Sequence, residues 1–102
     1  MVQGHPSTIC DALMVPAPGL ITFALNQELL SGGVTVTDAQ VSHAVAFAAT
    51  QLKLVLEPSG AVALAVVLNR SAFEHECIGV VLSGSNVDSG VFLTSLKRHP
   101  LP

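Results

Sequence analysis

Apolar residues recur at helical spacing in three stretches of the chain. In residues 20–30 they follow one another at four-residue intervals until a Ser-Gly-Gly sequence, which is typical of a helix end. In residues 39–52 an apolar face repeats along the whole stretch, and Thr37 or Asp38 is a suitable N-cap. Residues 59–69 are apolar almost all the way round, as in a helix that is buried on every side. The pattern therefore predicts three helices.

Two shorter apolar runs have the character of buried strands. Residues 53–57 precede Pro58, which biases the residue before it toward extended geometry and is well placed to open the third helix. Residues 77–82 are continuously apolar, as strands of a parallel sheet are when helices cover both faces. The two predicted strands, with the third predicted helix between them, indicate a βαβ unit over residues 53–82. The expected fold class is α/β, with a partial parallel sheet and a further short strand within residues 33–38.

The composition limits the size of this fold and indicates a partner. A chain of 102 residues has room for one domain, residues 1–102. Within it, residues 1–19 are expected to form a loop, residues 69–76 a polar connection and residues 89–102 a tail. Half of the residues are hydrophobic and only 11% are charged, against about a quarter in a typical soluble domain. So small and apolar a domain is expected to expose apolar patches. We therefore predict that it forms a homo-oligomer or packs against missing sequence.

Charge and hydropathy exclude several kinds of partner and site. Four Lys and Arg and a net charge of −3 cannot form the basic stripe that nucleic acid requires. The longest unbroken apolar run, residues 61–68, is far short of the roughly 20 residues that cross a bilayer. The first ten residues lack the regions of a secretory signal, so a cytoplasmic location is expected. The four histidines are too scattered for a metal site, and Cys10 and Cys77 are expected to be unpaired.

Polar residues follow both strands of the predicted βαβ unit. Glu57 opens a Glu-Pro-Ser-Gly sequence after the first strand, and Ser83 opens a Ser-Gly-Ser-Asn sequence after the second. Parallel strands end at the same edge of a sheet, where open α/β folds bind their ligands. The two sequences are therefore expected to line one pocket.

Several roles are open for these residues. The sequence at Ser83 lacks the glycine spacing of a serine nucleophile elbow, and it lacks the lysine of a phosphate-binding loop. Ser83 is then either part of an ordinary polar turn or a hydroxyl that hydrogen-bonds a cofactor, with Gly84 permitting close approach. Glu57 is equally explained as a carboxylate at a helix N-terminus. Lys53 lies where the long helix ends, which favours a helix C-terminal lysine over a Schiff-base amine.

Five segments, taken together and in order, resemble a known family. They are "TICDAL", "PAPG.ITF", "VTVTDAQV", "LKLVLEPSGAVALAVVL" and "VVLSGSNVD", and they extend over residues 8–88. In this order they resemble the C-terminal part of the pyridoxal-phosphate-dependent threonine/serine dehydratases. That group includes threonine ammonia-lyase and serine racemase and has the fold of the tryptophan synthase β subunit, so the resemblance implies the C-terminal part of a fold type II large domain.

The resemblance implies pyridoxal phosphate as cofactor and assigns residues to it. Ser83 matches the serine whose hydroxyl meets the pyridine nitrogen, and Gly84 and Asn86 match the loop that shapes this contact. Glu57 matches a residue on the same side of the cofactor. Ser85 stands where the family usually has a second glycine, so its side chain is expected to crowd the ring or the turn.

The resemblance also implies what this chain lacks. The lysine that carries the cofactor, the glycine-rich phosphate loop and the cation ligands of some members belong to the N-terminal part of the family's enzymes. No catalytic or metal-binding residue is therefore assigned here, and the chain is not expected to catalyse elimination alone. The predicted function is that of the C-terminal portion of a threonine/serine ammonia-lyase, which converts its substrate to a 2-oxo acid and ammonia. The alternatives are a non-catalytic module of the same fold that binds itself or a partner, and a small-ligand binder.

Overall fold

Four α-helices form the fold of the described residues. The structure, a computed structural model, describes Gly4, residues 6–69 and residues 77–100. After a 3-10 turn, Asp11–Leu13, come α1 (Leu20–Leu29), α2 (Asp38–Phe47), α3 (Pro58–Asn69) and α4 (Ser89–Arg98), with a π-helical turn, Ala48–Leu52, continuing α2. Helix α2 is central, since both α3 and α4 pack against it, and the 3-10 turn packs against α3. In the described part of the chain no helix is long and apolar enough to cross a membrane.

The start of α2 is held by a capping box. The Thr37 hydroxyl accepts from the Gln40 N–H at 3.2 Å, and the Gln40 side-chain oxygen accepts from the Thr37 N–H at 2.8 Å. Thr37 is therefore the N-cap, and Asp38 is the first helical residue. The helix predicted over 39–52 is confirmed, although its last five residues form the π-helical turn.

Helix α3 is buried on one side, contrary to the prediction that it is buried on every side. Pro58 opens it as expected, and Ala61, Leu64 and Ala65 point into the core against α2. Ala63 is exposed, and Val66 and Val67 are half-buried. The opposite face of this almost wholly apolar helix is thus only partly covered by the described chain.

Helix α1 begins at Leu20 as predicted and ends at Leu29, one residue earlier than predicted, but it contributes nothing to the core. No residue of α1 is buried, and α1 packs against none of the other helices of the described chain. Its apolar positions Leu20, Ile21 and Leu29 are more than three-quarters exposed, at 76%, 78% and 76%. The four-residue spacing correctly predicted the helix, but no other part of the described chain covers the apolar face of that helix.

The α/β fold class and the βαβ unit are wrong for the described residues, which contain no β-strand. Residues 53–57 and 77–82 are neither helix nor sheet. Within the described chain a single backbone hydrogen bond, from the Glu57 N–H to the Gly84 carbonyl at 3.0 Å, joins the end of the first run to the loop after the second. A ladder needs such bonds repeated along both strands. Val55 and Val81 are exposed by 51% and 76%. The runs are as apolar as buried strands, but nothing in the described chain pairs with them or covers both of their faces.

Helix α4 occupies a stretch for which the sequence analysis predicts only a tail. The Asp88 carboxylate caps it by accepting from the N–H groups of Gly90 and Val91 at 2.9 and 3.3 Å. Lys97 and Arg98 lie in its last turn, where cations are favoured by the helix dipole. Its buried Ser95 hydroxyl donates to the Val91 carbonyl at 3.1 Å, so the helix can pack a small polar residue against α2.

Lys53, which ends the π-helical turn, has a left-handed backbone with φ of 59°. A side chain at such a φ costs roughly 1 kcal/mol that glycine does not incur. We expect Lys53→Gly to be more stable than Lys53→Ala by about 1 kcal/mol, measured by urea unfolding. Both variants lose the hydrogen bond from the Lys53 ammonium to the Thr50 carbonyl, so their difference isolates the backbone term. Equal stabilities would contradict the left-handed geometry.

Candidate functional site

The two predicted loops meet where α3 begins. The Glu57 N–H donates to the Gly84 carbonyl at 3.0 Å, and the Gly60 N–H closes the first turn of α3 on the Glu57 carbonyl at 3.0 Å. A Cβ atom on Gly60 would lie 2.7 Å from the Gly84 nitrogen and 2.8 Å from its oxygen. The sequences that begin at Glu57 and Ser83 are thus brought together, as predicted, through direct backbone packing rather than through a shared sheet.

The Glu57 side chain lies directly over Gly84. A Cβ atom on Gly84 would come within 2.8 Å of the Glu57 carboxyl carbon. Glu57 is half-buried here, one residue before Pro58 and the first turn of α3. The absence of a side chain at Gly84 therefore gives the carboxylate its place, and the carboxylate sits beside the loop that carries Ser83.

Ser83 presents a free hydroxyl beside this contact. The residue is exposed, and within the described part of the chain its side chain makes no hydrogen bond. Ser85 and Asn86 are also exposed, and the Val87 N–H turns back to the Ser85 carbonyl at 2.9 Å. This tight turn directs the chain toward the Asp88 cap of α4. The Ser83 loop is fixed at its base by Glu57 and Gly84 and is open on the side that carries the hydroxyl.

A second set of contacts, which the sequence analysis missed, anchors the N-terminal segment beside the same helices. The Asp38 carboxylate accepts from the Thr8 hydroxyl, and its other oxygen accepts from the Ile9 N–H at 3.2 Å. The Ala12 N–H donates to the Ser59 hydroxyl in the first turn of α3 at 3.2 Å. Desolvation raises the pKa of the buried Cys10 thiol between these contacts. The sequence feature that could have indicated these contacts is the position of Asp38 in a first helical turn, where a carboxylate is favoured.

Lys53 and two of the histidines make contacts of their own within the described residues. The Lys53 ammonium donates to the Thr50 carbonyl at 2.7 Å, which supports its interpretation as a helix C-terminal lysine. The rings of His43 and His99 meet edge to face, with centroids 5.4 Å apart. Desolvation and the charges of His43 and Arg98 lower the pKa of His99.

Metal ligands and disulfides were also considered at the sequence level. In residues 6–69 and 77–100 no three His, Cys, Asp or Glu side chains come together as a metal site. Cys10 is buried and Cys77 is exposed, and both are free thiols, as predicted. His5, His75 and most of the predicted polar connection, residues 70–76, lie outside the described residues.

The chain matches one protein family and several characterised proteins. Residues 1–84 match the PALP family of pyridoxal-phosphate dependent enzymes, a match that includes Glu57, Ser83 and Gly84 and ends before Asn86. The chain is 36% identical over 87 residues to an L-threonine ammonia-lyase of Thermotoga maritima, which covers 85% of this chain and 21% of the relative. It is 33% identical to a serine racemase of Dictyostelium discoideum, over 83% of this chain and 27% of the relative.

One further sequence relative and one solved structure extend the comparison. A beta-hydroxyaspartate dehydratase of Paracoccus denitrificans is 38% identical over 81% of this chain and 26% of its own length. The crystal structure of a T.th. threonine deaminase superposes with a TM-score of 0.78 at 32% identity, over 85% of this chain and 32% of that one. The chain therefore spans only about a fifth to a quarter of the length of these three curated relatives.

Proposed function

Because the chain belongs to the family of pyridoxal-phosphate-dependent enzymes, we propose that it forms one wall of a pyridoxal-phosphate site. Ser83 would face the pyridine nitrogen, Gly84 and Asn86 would shape the loop around it, and Glu57 would border the ring. The observation that carries the proposal is the packing of Glu57 and Gly60 against Gly84, which fixes the loop at the residue next to the exposed Ser83.

The residues present suit the ring of this cofactor. A hydroxyl that makes no hydrogen bond in the described chain is available to donate to, or accept from, a ring nitrogen. Gly84, the residue after Ser83, adds no side chain that would displace the Glu57 carboxylate. The Ser85 side chain is exposed, so it meets no crowding from the described chain, although the loop departs here from the family's usual glycine.

The chemistry of these residues supports a lyase that acts on amino acids with a hydroxyl at the β-carbon. Threonine, serine and hydroxyaspartate, which appear in the names of the relatives, all have this hydroxyl. When bound, pyridoxal phosphate is an electron sink that makes the α-hydrogen of an amino acid acidic. Loss of that hydrogen and of the β-hydroxyl as water leaves an enamine, which takes up water to give a 2-oxo acid and ammonia.

Ser83 would tune this reaction through its neutrality. A hydroxyl at the ring nitrogen does not enforce a positive charge there, whereas a carboxylate does, so the ring withdraws electrons more mildly. A mild sink is sufficient where a leaving group on the β-carbon departs. The lysine and the phosphate-binding loop that the family uses would come from the further sequence that the relatives possess, and we propose that this sequence, in the same or another chain, completes the pocket.

The test is a titration of the chain with pyridoxal phosphate, followed by absorbance and by intact mass after borohydride reduction. Ser83→Ala removes one hydrogen bond and is expected to weaken binding about 2- to 10-fold. Ser85→Ala, the loss of a hydroxyl two residues away at a position where the family usually has glycine, is expected not to weaken binding. Equal affinities for Ser83→Ala and the unaltered chain would refute the assignment of Ser83. A single reduced adduct at Lys53 would restore that lysine as a cofactor amine.

A further inference from the structure

His43 and His99 meet where α4 packs against α2. Their rings lie edge to face, with centroids 5.4 Å apart. His99 directly follows α4, and its N–H donates to the Ser95 carbonyl at 3.2 Å, which closes the last turn of the helix. Ser95 is buried, at 2% exposure, and lies one turn before His99 on the same side of α4. The two rings therefore belong to the interface that holds the end of α4 on α2.

The ionisable groups nearest to this contact along the two helices are cationic. Both rings are half-buried, and within the described chain neither forms an ion pair with a carboxylate. The carboxylates of these helices lie at their starts, Asp38 in the first turn of α2 and Asp88 at the cap of α4. The last turn of α4 carries Lys97 and Arg98. Helix α3 and the π-helical turn, which also pack against α2, contain no ionisable side chain.

This environment favours the neutral form of His99. Desolvation, the charge of His43 and the charge of Arg98 lower the pKa of His99 from its ordinary value of 6.5. A group whose pKa is lower in the folded chain than in the unfolded chain binds its proton less readily when the chain is folded. The contribution of His99 to stability is therefore fully present above pH 6.5 and is lost as the pH falls below that value through the lowered pKa.

We propose that the contact between His43 and His99 is a pH-sensitive element, which holds the end of α4 on α2 while the rings are neutral and releases it in mild acid. Neutral aromatic rings attract each other in the edge-to-face arrangement. Once both rings are protonated, two positive charges lie 5.4 Å apart, and their repulsion disfavours the contact roughly three- to tenfold. The Asp88 carboxylate holds the start of α4 separately, so the release is confined to the end of the helix.

An NMR titration of the imidazole signals tests this element directly. In the unaltered chain His99 is expected to have a pKa below 6.5, and in His43→Gln this pKa is expected to rise, because one neighbouring charge is removed. Nuclear Overhauser contacts between the two rings are expected at about pH 7.5 and are expected to be lost at about pH 5. A His99 that titrates at or above 6.5, that ignores His43→Gln, or that keeps its ring contacts in acid would overturn the proposal.

A double-mutant cycle separates the charge effect from simple packing. The unaltered chain, His43→Gln, His99→Gln and the double variant are unfolded with urea at about pH 7.5 and about pH 5. Glutamine stays neutral at both pH values, and His5 and His75 are common to all four chains. The coupling between His43 and His99 is expected to become less favourable in acid, by roughly three- to tenfold in the folded-to-unfolded ratio.

The comparison of the two pH values distinguishes a pH-sensitive contact from a merely structural one. A structural contact gives the same coupling between His43 and His99 at both values, and that result would overturn the proposal. No measurement uses pyridoxal phosphate, and neither variant alters Glu57, Ser83 or Gly84. The outcome is therefore independent of the proposed pyridoxal-phosphate site.

Discussion

Replacement of Gly60 by alanine is expected to lower the free energy of unfolding by about 2 to 3 kcal/mol. The added Cβ would lie 2.7 Å from the Gly84 nitrogen and 2.8 Å from its oxygen, and both are backbone atoms that cannot rotate away. The first turn of α3 and the Ser83 loop must separate to admit it. The hydrogen bond from the Glu57 N–H to the Gly84 carbonyl would then be strained or lost.

The direction of the Gly60→Ala effect distinguishes close packing from helix propensity. Alanine is a better helix former than glycine by roughly 1 kcal/mol, so without the close packing this substitution would stabilise α3. Gly79→Ala is the control, because nothing lies within 4 Å of its added Cβ, and its effect is expected to stay within about 0.5 kcal/mol. Urea unfolding measures both variants. A Gly60→Ala chain as stable as the unaltered one would contradict the contact on which the site is built.

The helices could be predicted because their information is local. The four-residue spacing in residues 20–30, the apolar face of 39–52 and Pro58 before an apolar stretch each set a helix by neighbours a few residues away. The meeting of the Glu57 and Ser83 sequences was also predicted, although the argument used a sheet that the described residues do not contain. The two sequences nevertheless lie together, because Gly60 packs directly against the backbone of Gly84.

The sheet was predicted wrongly because apolar runs report burial and not pairing. Residues 77–82 have the composition of a strand covered on both faces, but a strand exists only where a second one supplies the ladder. Helix α4 was missed although its signals are also local. Asp88 is a favourable N-cap, and Val91, Phe92 and Leu96 recur at helical spacing behind it. The packing of its buried Ser95 was visible only in the fold.

Replacement of Asp38 by alanine is the second large effect, an expected loss of about 2 kcal/mol in the free energy of unfolding. The substitution removes the acceptor of the Thr8 hydroxyl and of the Ile9 N–H, together with a carboxylate in the first turn of α2. Asp38→Asn keeps one acceptor oxygen and is expected to lose about half as much. Asp11→Ala is the control, because that carboxylate accepts only from the adjacent Ala12 N–H in the described chain and its loss should cost under about 1 kcal/mol.

Thiol labelling separates a local release of the N-terminal segment from a general loss of stability. Cys10 is 5% exposed in the core beneath the Asp38 contacts, while Cys77 is exposed and serves as an internal reference. In Asp38→Ala, Cys10 is expected to react with a thiol reagent well below the urea concentration that unfolds the helices, because the segment from Thr8 to Cys10 is no longer tied to α2. Labelling of Cys10 only on global unfolding, with stability changed by less than about 0.5 kcal/mol, would show that Asp38 does not hold this segment.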